Sequence, residues 1–159
     1  MSLELVKAYL AQFDMENRIQ EFSVSSATVP LAAQVLCCEE ARIAKTLSFR
    51  TETEPLLIVA AGDTRIDNRK FKSRFHIKAA MLPPDEVYDR IGHEVGGVCP
   101  FAVRDGVTIY LDASLRRFST VFPACGSPNS AIELTIPELE RCSRFSGWVD
   151  VCKDWRPCI

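Results

Sequence analysis

A chain of 159 residues with 47% hydrophobic and 25% charged side chains has the size and composition of one ordinary globular domain, with enough apolar content for a sizeable core. Those proportions exclude disorder, collagen-like repeats and coiled coils, and no apolar run reaches the ~20 residues that a bilayer-spanning helix needs. The 19 basic and 21 acidic residues leave a net charge of −2, so no overall field draws the chain to nucleic acid and any anion site must be local.

The opening Met1-Ser2-Leu3-Glu4-Leu5 carries an acid early and no long apolar stretch. That is unlike a secretory leader, so a cytoplasmic protein is expected. Ser2 is placed to cap a first helix whose apolar stripe is Leu3, Val6, Leu10 and Phe13. Thr28 is an N-cap for a second helix, with Pro30 in its first turn and Leu31, Val35 and Leu36 turned inward. Strands are predicted at 41–50, 55–61, 75–81, 107–112, 120–124 and 130–135. A helix fits 84–91, stopped by Gly92, and Thr135 with Glu138 forms a capping box for another through Arg141. A last strand at 148–152 closes the pattern. Many short strands among few short helices predict an α+β fold: a single domain over 1–159, with a mixed, largely antiparallel sheet curled toward a partial barrel and flanked by the helices.

Seven cysteines, Cys37, Cys38, Cys99, Cys125, Cys142, Cys152 and Cys158, are odd in number and scattered, which argues against a disulfide framework. No Cys-x-x-Cys pair is present, and His76 and His93 are not spaced as zinc partners, so the thiols read as small buried hydrophobes and no metal is expected. Between Thr64 and Lys78 stand Arg65, Arg69, Lys70, Lys72, Arg74 and Lys78 against the single acid Asp67. Such a run is either a solvated helix face or a local phosphate-binding surface.

Three places could carry chemistry. In the strand around Ile43-Ala44-Lys45-Thr46-Leu47-Ser48-Phe49, alternation puts Lys45 on the face of Ile43, Leu47 and Phe49. An ammonium on an apolar stripe must meet an anion or carbonyl at a pocket floor, or snorkel past the strand to water. Gly96-Gly97-Val98-Cys99-Pro100-Phe101 is a loop whose glycines let a ligand approach the main chain, or a plain turn between strands. Ala124-Cys125-Gly126-Ser127-Pro128-Asn129 is a compact turn whose glycine packs beside a ligand, or a hairpin. Cys99, with His76 or His93 as base, could also be a nucleophile, although a lone cysteine is more often simply packed.

In this order the motifs resemble the YbaK/EbsC family, the prolyl-tRNA synthetase associated or aminoacyl-tRNA-editing domains. The resemblance runs through Ala27-Thr28-Val29, Ile43 to Phe49, Arg65-Ile66-Asp67 with Lys70, and Gly96 to Phe101. It continues through Leu111-Asp112-Ala113-Ser114-Leu115, Ala124 to Ser127, and Glu133-Leu134-Thr135 leading into Glu138-Leu139, and so covers about residues 22–151. It implies a cofactor-free, metal-free deacylase acting in trans on mischarged tRNA, with an aminoacyl-tRNA synthetase as a further partner and no membrane. By the same resemblance Lys45 is the residue required for activity. Thr46, Gly96, Gly97, Val98, Cys99, Pro100, Gly126 and Ser127 would bind substrate, with water as nucleophile, and Arg65, Arg69, Lys70, Lys72 and Arg74 would meet the tRNA backbone.

The chain departs from the family's better-known branches. Members acting on cysteinyl-tRNA(Pro) carry a serine and an aspartate where Ala124 and Ala131 fall; those acting on alanyl-tRNA(Pro) carry an asparagine at Thr46 and a late histidine absent here. These changes leave the edited amino acid open. The alternatives are a non-catalytic module that binds aminoacyl-tRNA or a synthetase, and a Cys99-dependent hydrolase or redox protein.

Overall fold

A computed structural model of the chain describes residues 2–155, leaving Met1 and Cys158 outside it. Its helices are α1 (Ser2–Ala11), α2 (Val29–Leu36), α3 (Asn68–Phe75), α4 (Pro84–Ile91) and α5 (Ile136–Ser143). The longer strands are β2 (Ile43–Phe49), β3 (Leu56–Ala61), β5 (Thr108–Asp112) and β6 (Thr120–Pro123). Shorter ones are β1 (Gln20–Glu21), β4 (Arg65–Ile66), β7 (Ser130–Ala131), β8 (Leu134–Thr135), β9 (Gly147–Val149) and β10 (Cys152–Lys153).

Six strands form one curled sheet in the order β8-β6-β2-β3-β5-β9, with β1-β7 and β4-β10 as two small pairs. The sheet is mixed, as the sequence suggests. Within it β2–β3 and β6–β8 are antiparallel, while β2–β6, β3–β5 and β5–β9 are parallel. Strand β3, Leu-Leu-Ile-Val-Ala-Ala, is buried at every position, as an apolar run without alternation requires of a strand covered on both faces. Its odd positions, Leu57, Val59 and Ala61, pack with α1, α4 and α5 through Val6, Leu10, Ile91 and Leu139. The even ones, Leu56, Ile58 and Ala60, pack with Phe49, Phe71 of α3, Val149 and Val151. A small third cluster sets Ala32 and Ala33 of α2 on Ile43 and Phe122.

Local signals act where they were read. Thr28 Oγ1 accepts the Leu31 N–H at 3.3 Å, Gly92 stops α4 at φ +104°, and the Thr135–Glu138 capping box closes at 2.9 and 3.2 Å. Several boundaries differ. Of the segment predicted as a strand at 75–81, Phe75 ends α3, and among the described residues the rest pairs only through the bridge Met81↔Phe49. Alternating Phe75, Ile77 and Ala79 imitate a strand, but Asp67 caps a helix by accepting from Arg69 N and Lys70 N at 3.0 and 3.1 Å. Phe71 and Phe75, four residues apart, then meet with ring centroids 4.8 Å apart and planes tilted by 50°. The predicted strand 130–135 changes partners midway: Ser130–Ala131 pairs with β1 and Leu134–Thr135 with β6. The strand 148–152 likewise divides between β9 and β10, and Glu40–Arg42 is a 3-10 turn before β2. Ser2 lies inside α1, where its hydroxyl donates to the Gly92 carbonyl at 3.1 Å. Leu31 faces outward on α2, which buries its alanines instead.

Candidate active site where two parallel strands part

Strands β2 and β6 pair only at Ile43↔Phe122 and Ala44↔Pro123. They then separate, and the gap closes again where Leu82 N–H donates to Ser48 C=O at 3.1 Å. A cavity of about 360 Å³ fills that gap and is lined by every residue from Ile43 to Ser48. Alternate side chains of a strand point to opposite faces, so a strand whose consecutive residues all line one cavity presents its edge to it. The other walls come from the start of α2 (Thr28, Val29), from Leu82 and Val87, from Gly96 and Val98, and from Ala124 and Ala131. Ala124 and Ala131, the two departures noted in the sequence, face each other as bridge partners in this wall.

Lys45 pairs with Ala60 and so lies on the β3 face of Ile58, as parity predicted. Burial pulls its pKa below the usual lysine value, opposed by Cys152 and Asp63 and assisted by Arg65. Its ammonium donates to the carbonyl of Thr64, whose hydroxyl in turn donates to Ala61 C=O at 2.6 Å. That turn is anchored by Asp63, held bidentately by Arg117 at 2.6 and 2.9 Å, and the guanidinium holds the Asp63 carboxyl below its usual range. Arg117 Nε donates to Ser114 C=O at 2.9 Å, and the Ser114 hydroxyl accepts Ala61 N–H at 3.1 Å. Buried Asp112 secures the far end, accepting Ser114 N–H and Val151 N–H at 2.9 Å each. Asp63, Thr64 and Arg117 are not among the residues the sequence singles out, because nothing in the segment around Asp63 points to a partner 54 residues away. Thr46 lies on the opposite face of β2; its hydroxyl oxygen is buried without a hydrogen-bond partner among the described residues.

Of the 96–100 loop, Gly96 and Val98 line the cavity, with Gly96 at φ +93°. Gly97 instead seats the loop on the 126–127 turn, where a Cβ would fall 2.6 Å from Gly126 C and Ser127 N. Gly126 (φ +88°) backs onto Ser2 and Val6, and the Ser127 hydroxyl lies 2.6 Å from that of Ser130. Gly97, Gly126 and Ser127 therefore support the wall from behind, and Pro100 opens onto a separate surface with Tyr9. Cys99 is fully buried on the core side, a correction to its expected place against substrate. It does find His93, 3.5 Å away, but burial raises its pKa to about 12. His93 Nε2 sits 2.6 Å from the Phe101 carbonyl, so that nitrogen carries the proton as donor and is no base for the thiol. A buried, protonated thiol beside a donor nitrogen is packing, not a nucleophile.

The basic run divides. Arg69, Lys72 and Lys78 line one groove. Lys70 is drawn to Asp150 and Cys152 C=O, both at 3.2 Å, and Arg74 lies over the Phe75 and Tyr110 rings. Exposed Arg65 follows directly on the turn that holds Lys45. Groove and cavity share a segment: Lys78 and Ala79 line the one, Met81 and Leu82 the other. Among the described residues, no group of three His, Cys, Asp or Glu could hold a metal ion. No helix among them is long and apolar enough to cross a membrane.

Residues 24–142 match the aminoacyl-tRNA editing domain. This chain belongs to that family. The editing domain is 54% identical over 156 residues to YwhH of Bacillus subtilis (strain 168), an uncharacterized protein, spanning 98% of this chain and 99% of that one. It is 26% identical over 105 residues to a proline--tRNA ligase of Streptococcus equi subsp. zooepidemicus, covering 64% of this chain and 17% of the ligase. Its structure superposes with a TM-score of 0.86, at 26% identity and over 96% of this chain and 97% of the other, on a crystal structure of a candidate trans-editing enzyme for prolyl tRNA synthetase.

Proposed function

We propose that this editing domain is a trans-acting deacylase that hydrolyses the ester of mischarged aminoacyl-tRNA. The observation that carries the reading is Lys45: a residue that lines the cavity and carries a half-buried ammonium whose hydrogen-bond acceptor among the described residues is one carbonyl, Thr64 C=O. An ammonium has three donors, so two remain for a terminal phosphate or an acyl oxygen. Water attacks the acyl carbon, the ribose oxygen leaves with a proton, and the free amino acid and tRNA separate. An activated ester needs positioning and charge stabilisation more than a protein nucleophile, in keeping with a buried Cys99.

Arg69, Lys72 and Lys78 would take the acceptor-stem phosphates, with Arg65 nearer the ester; contacts of this kind position the tRNA without reading its sequence. Lys70 and Arg74 would contribute mainly to holding α3. A synthetase that produces the mischarged tRNA is the natural partner, and the cytoplasm the place of action.

Purified protein incubated with a panel of mischarged tRNAs, beside Lys45→Ala, tests the reading. Ester loss from one or a few species, abolished in the variant, is the expected result. Tight binding with no turnover above the water rate would replace the deacylase by a binding module, and full activity in Lys45→Ala would remove Lys45 from the chemistry.

A further inference from the structure

The open edge of β2 has a polarity that side chains alone do not reveal. Ser48 C=O and Arg50 N–H bond to the 80–82 segment, on the side of β2 away from β3. Main-chain groups two residues apart point the same way, so Thr46 turns both its N–H and its C=O into the cavity. Among the described residues neither has a ladder partner, because β6 has left β2 after Ala44. One residue thus offers a donor and an acceptor side by side, the arrangement that one residue of a neighbouring antiparallel strand would satisfy by exchanging two hydrogen bonds.

An α-aminoacyl ester carries the matching pair, an ammonium and a carbonyl on adjacent carbons. We propose that the aminoacyl group docks on Thr46 as a one-residue antiparallel β-bridge, its α-ammonium donating to Thr46 C=O and its ester carbonyl accepting from Thr46 N–H. The site therefore takes L-α-aminoacyl esters and discriminates against acyl groups without the amine. This rests on the deacylase reading and sharpens it. Side chains of a bridged pair share a face, so the bound L side chain lies beside that of Thr46. There the cavity wall is Leu82, Val87, Val98 and Ala124, which suits a small aliphatic group. The Thr46 N–H is also aimed at the oxygen on which charge develops when water attacks.

Two stable amide probes separate the possibilities: 3′-(L-alanylamino)-3′-deoxyadenosine, and its propionylamino counterpart lacking only the amine. Titrated into 15N-labelled protein, the alanyl probe is expected to bind at least tenfold more tightly and to shift the Thr46 amide resonance. Equal affinities, or a Thr46 amide that stays in place while cavity residues respond, would overturn the bridge and leave the deacylase reading standing. Failure of both probes to move any cavity resonance would overturn the reading and the bridge together.

Discussion

Replacing Lys45 by methionine asks whether the ammonium serves the sheet or the ligand. Methionine keeps an unbranched stem over Ala60 and Ile58 and removes the charge. The loss is one bond to the Thr64 carbonyl, and a hydrogen bond from a charged donor contributes about 1.5–3 kcal/mol. Against it stands the desolvation of a half-buried ammonium, which outweighs the favourable neighbours, since the Lys45 pKa is lowered overall from its ordinary 10.5. The two effects oppose each other, so the expected change in stability is within about 1 kcal/mol, or ~2–4 °C in Tm for a chain of this size. Turnover on the preferred ester should fall by about 10²–10³, the usual loss on deleting one preorganised charge-stabilising group. The pH dependence has a definite sign. With a depressed folded pKa, the unfolded chain binds more protons just below 10.5, so wild-type stability gains a rising contribution as pH climbs through that window. Lys45→Met lacks that contribution. Thermal unfolding from pH 7 to 10.5, beside single-turnover deacylation, measures both. A variant destabilised by more than about 3 kcal/mol would show that Lys45 holds the sheet, refuting the balance drawn here.

Gly97→Ala should destabilise by about 1–3 kcal/mol, because its Cβ would lie 2.6 Å from Gly126 C and Ser127 N, well inside the 3.4 Å of ordinary contact, and both atoms are backbone. Turnover should fall with it as Gly96 and Val98 shift in the cavity wall; an unchanged urea midpoint would contradict this packing. Glu138 donates nothing but accepts from Arg18 at 2.7 and 3.0 Å, which, with the Thr135 N–H, lowers its pKa to about 2. Its stabilisation is complete above its ordinary 4.5 and is lost as pH falls toward 2. Glu138→Gln should therefore cost about 1–2 kcal/mol at pH 7 after solvent screening and little near pH 2. A parallel offset between the two acid-unfolding curves would refute that linkage.

What the sequence discloses here are features whose cause is local. Thr28 and Thr135 announce helix starts through their own side chains, Gly92 announces a stop, and β2 shows the facing of Lys45 by a period of two. The misreadings arise where tertiary partners decide. Phe75, Ile77 and Ala79 alternate as a strand would, yet Phe71 needs a helix to reach Phe49 at 4.9 Å. The run from Ser130 to Thr135 looks continuous because no residue in it signals that its two ends pair with different strands. At the site, Lys45, Thr46, Gly96 and Val98 were legible and do line the cavity. Cys99 was misplaced because loop composition does not say which side of a turn faces the core. Asp63 and Arg117 could not be found, since an ion pair across 54 residues leaves no pattern in either segment.

The buried thiols have a practical use. Cys99, Cys125 and Cys142 belong to the core under one face of the sheet and Cys152 to the core under the other, while Cys37 is exposed. Each is an internal reporter whose reaction with a thiol reagent must wait for its own region to open. Cys37 marks the reagent's unhindered rate, Cys152 the loosening of the layer around Lys45, and the other three the loosening of the helical layer. Whether the two sides of this sheet breathe together or separately can thus be timed by mass spectrometry without introducing a label.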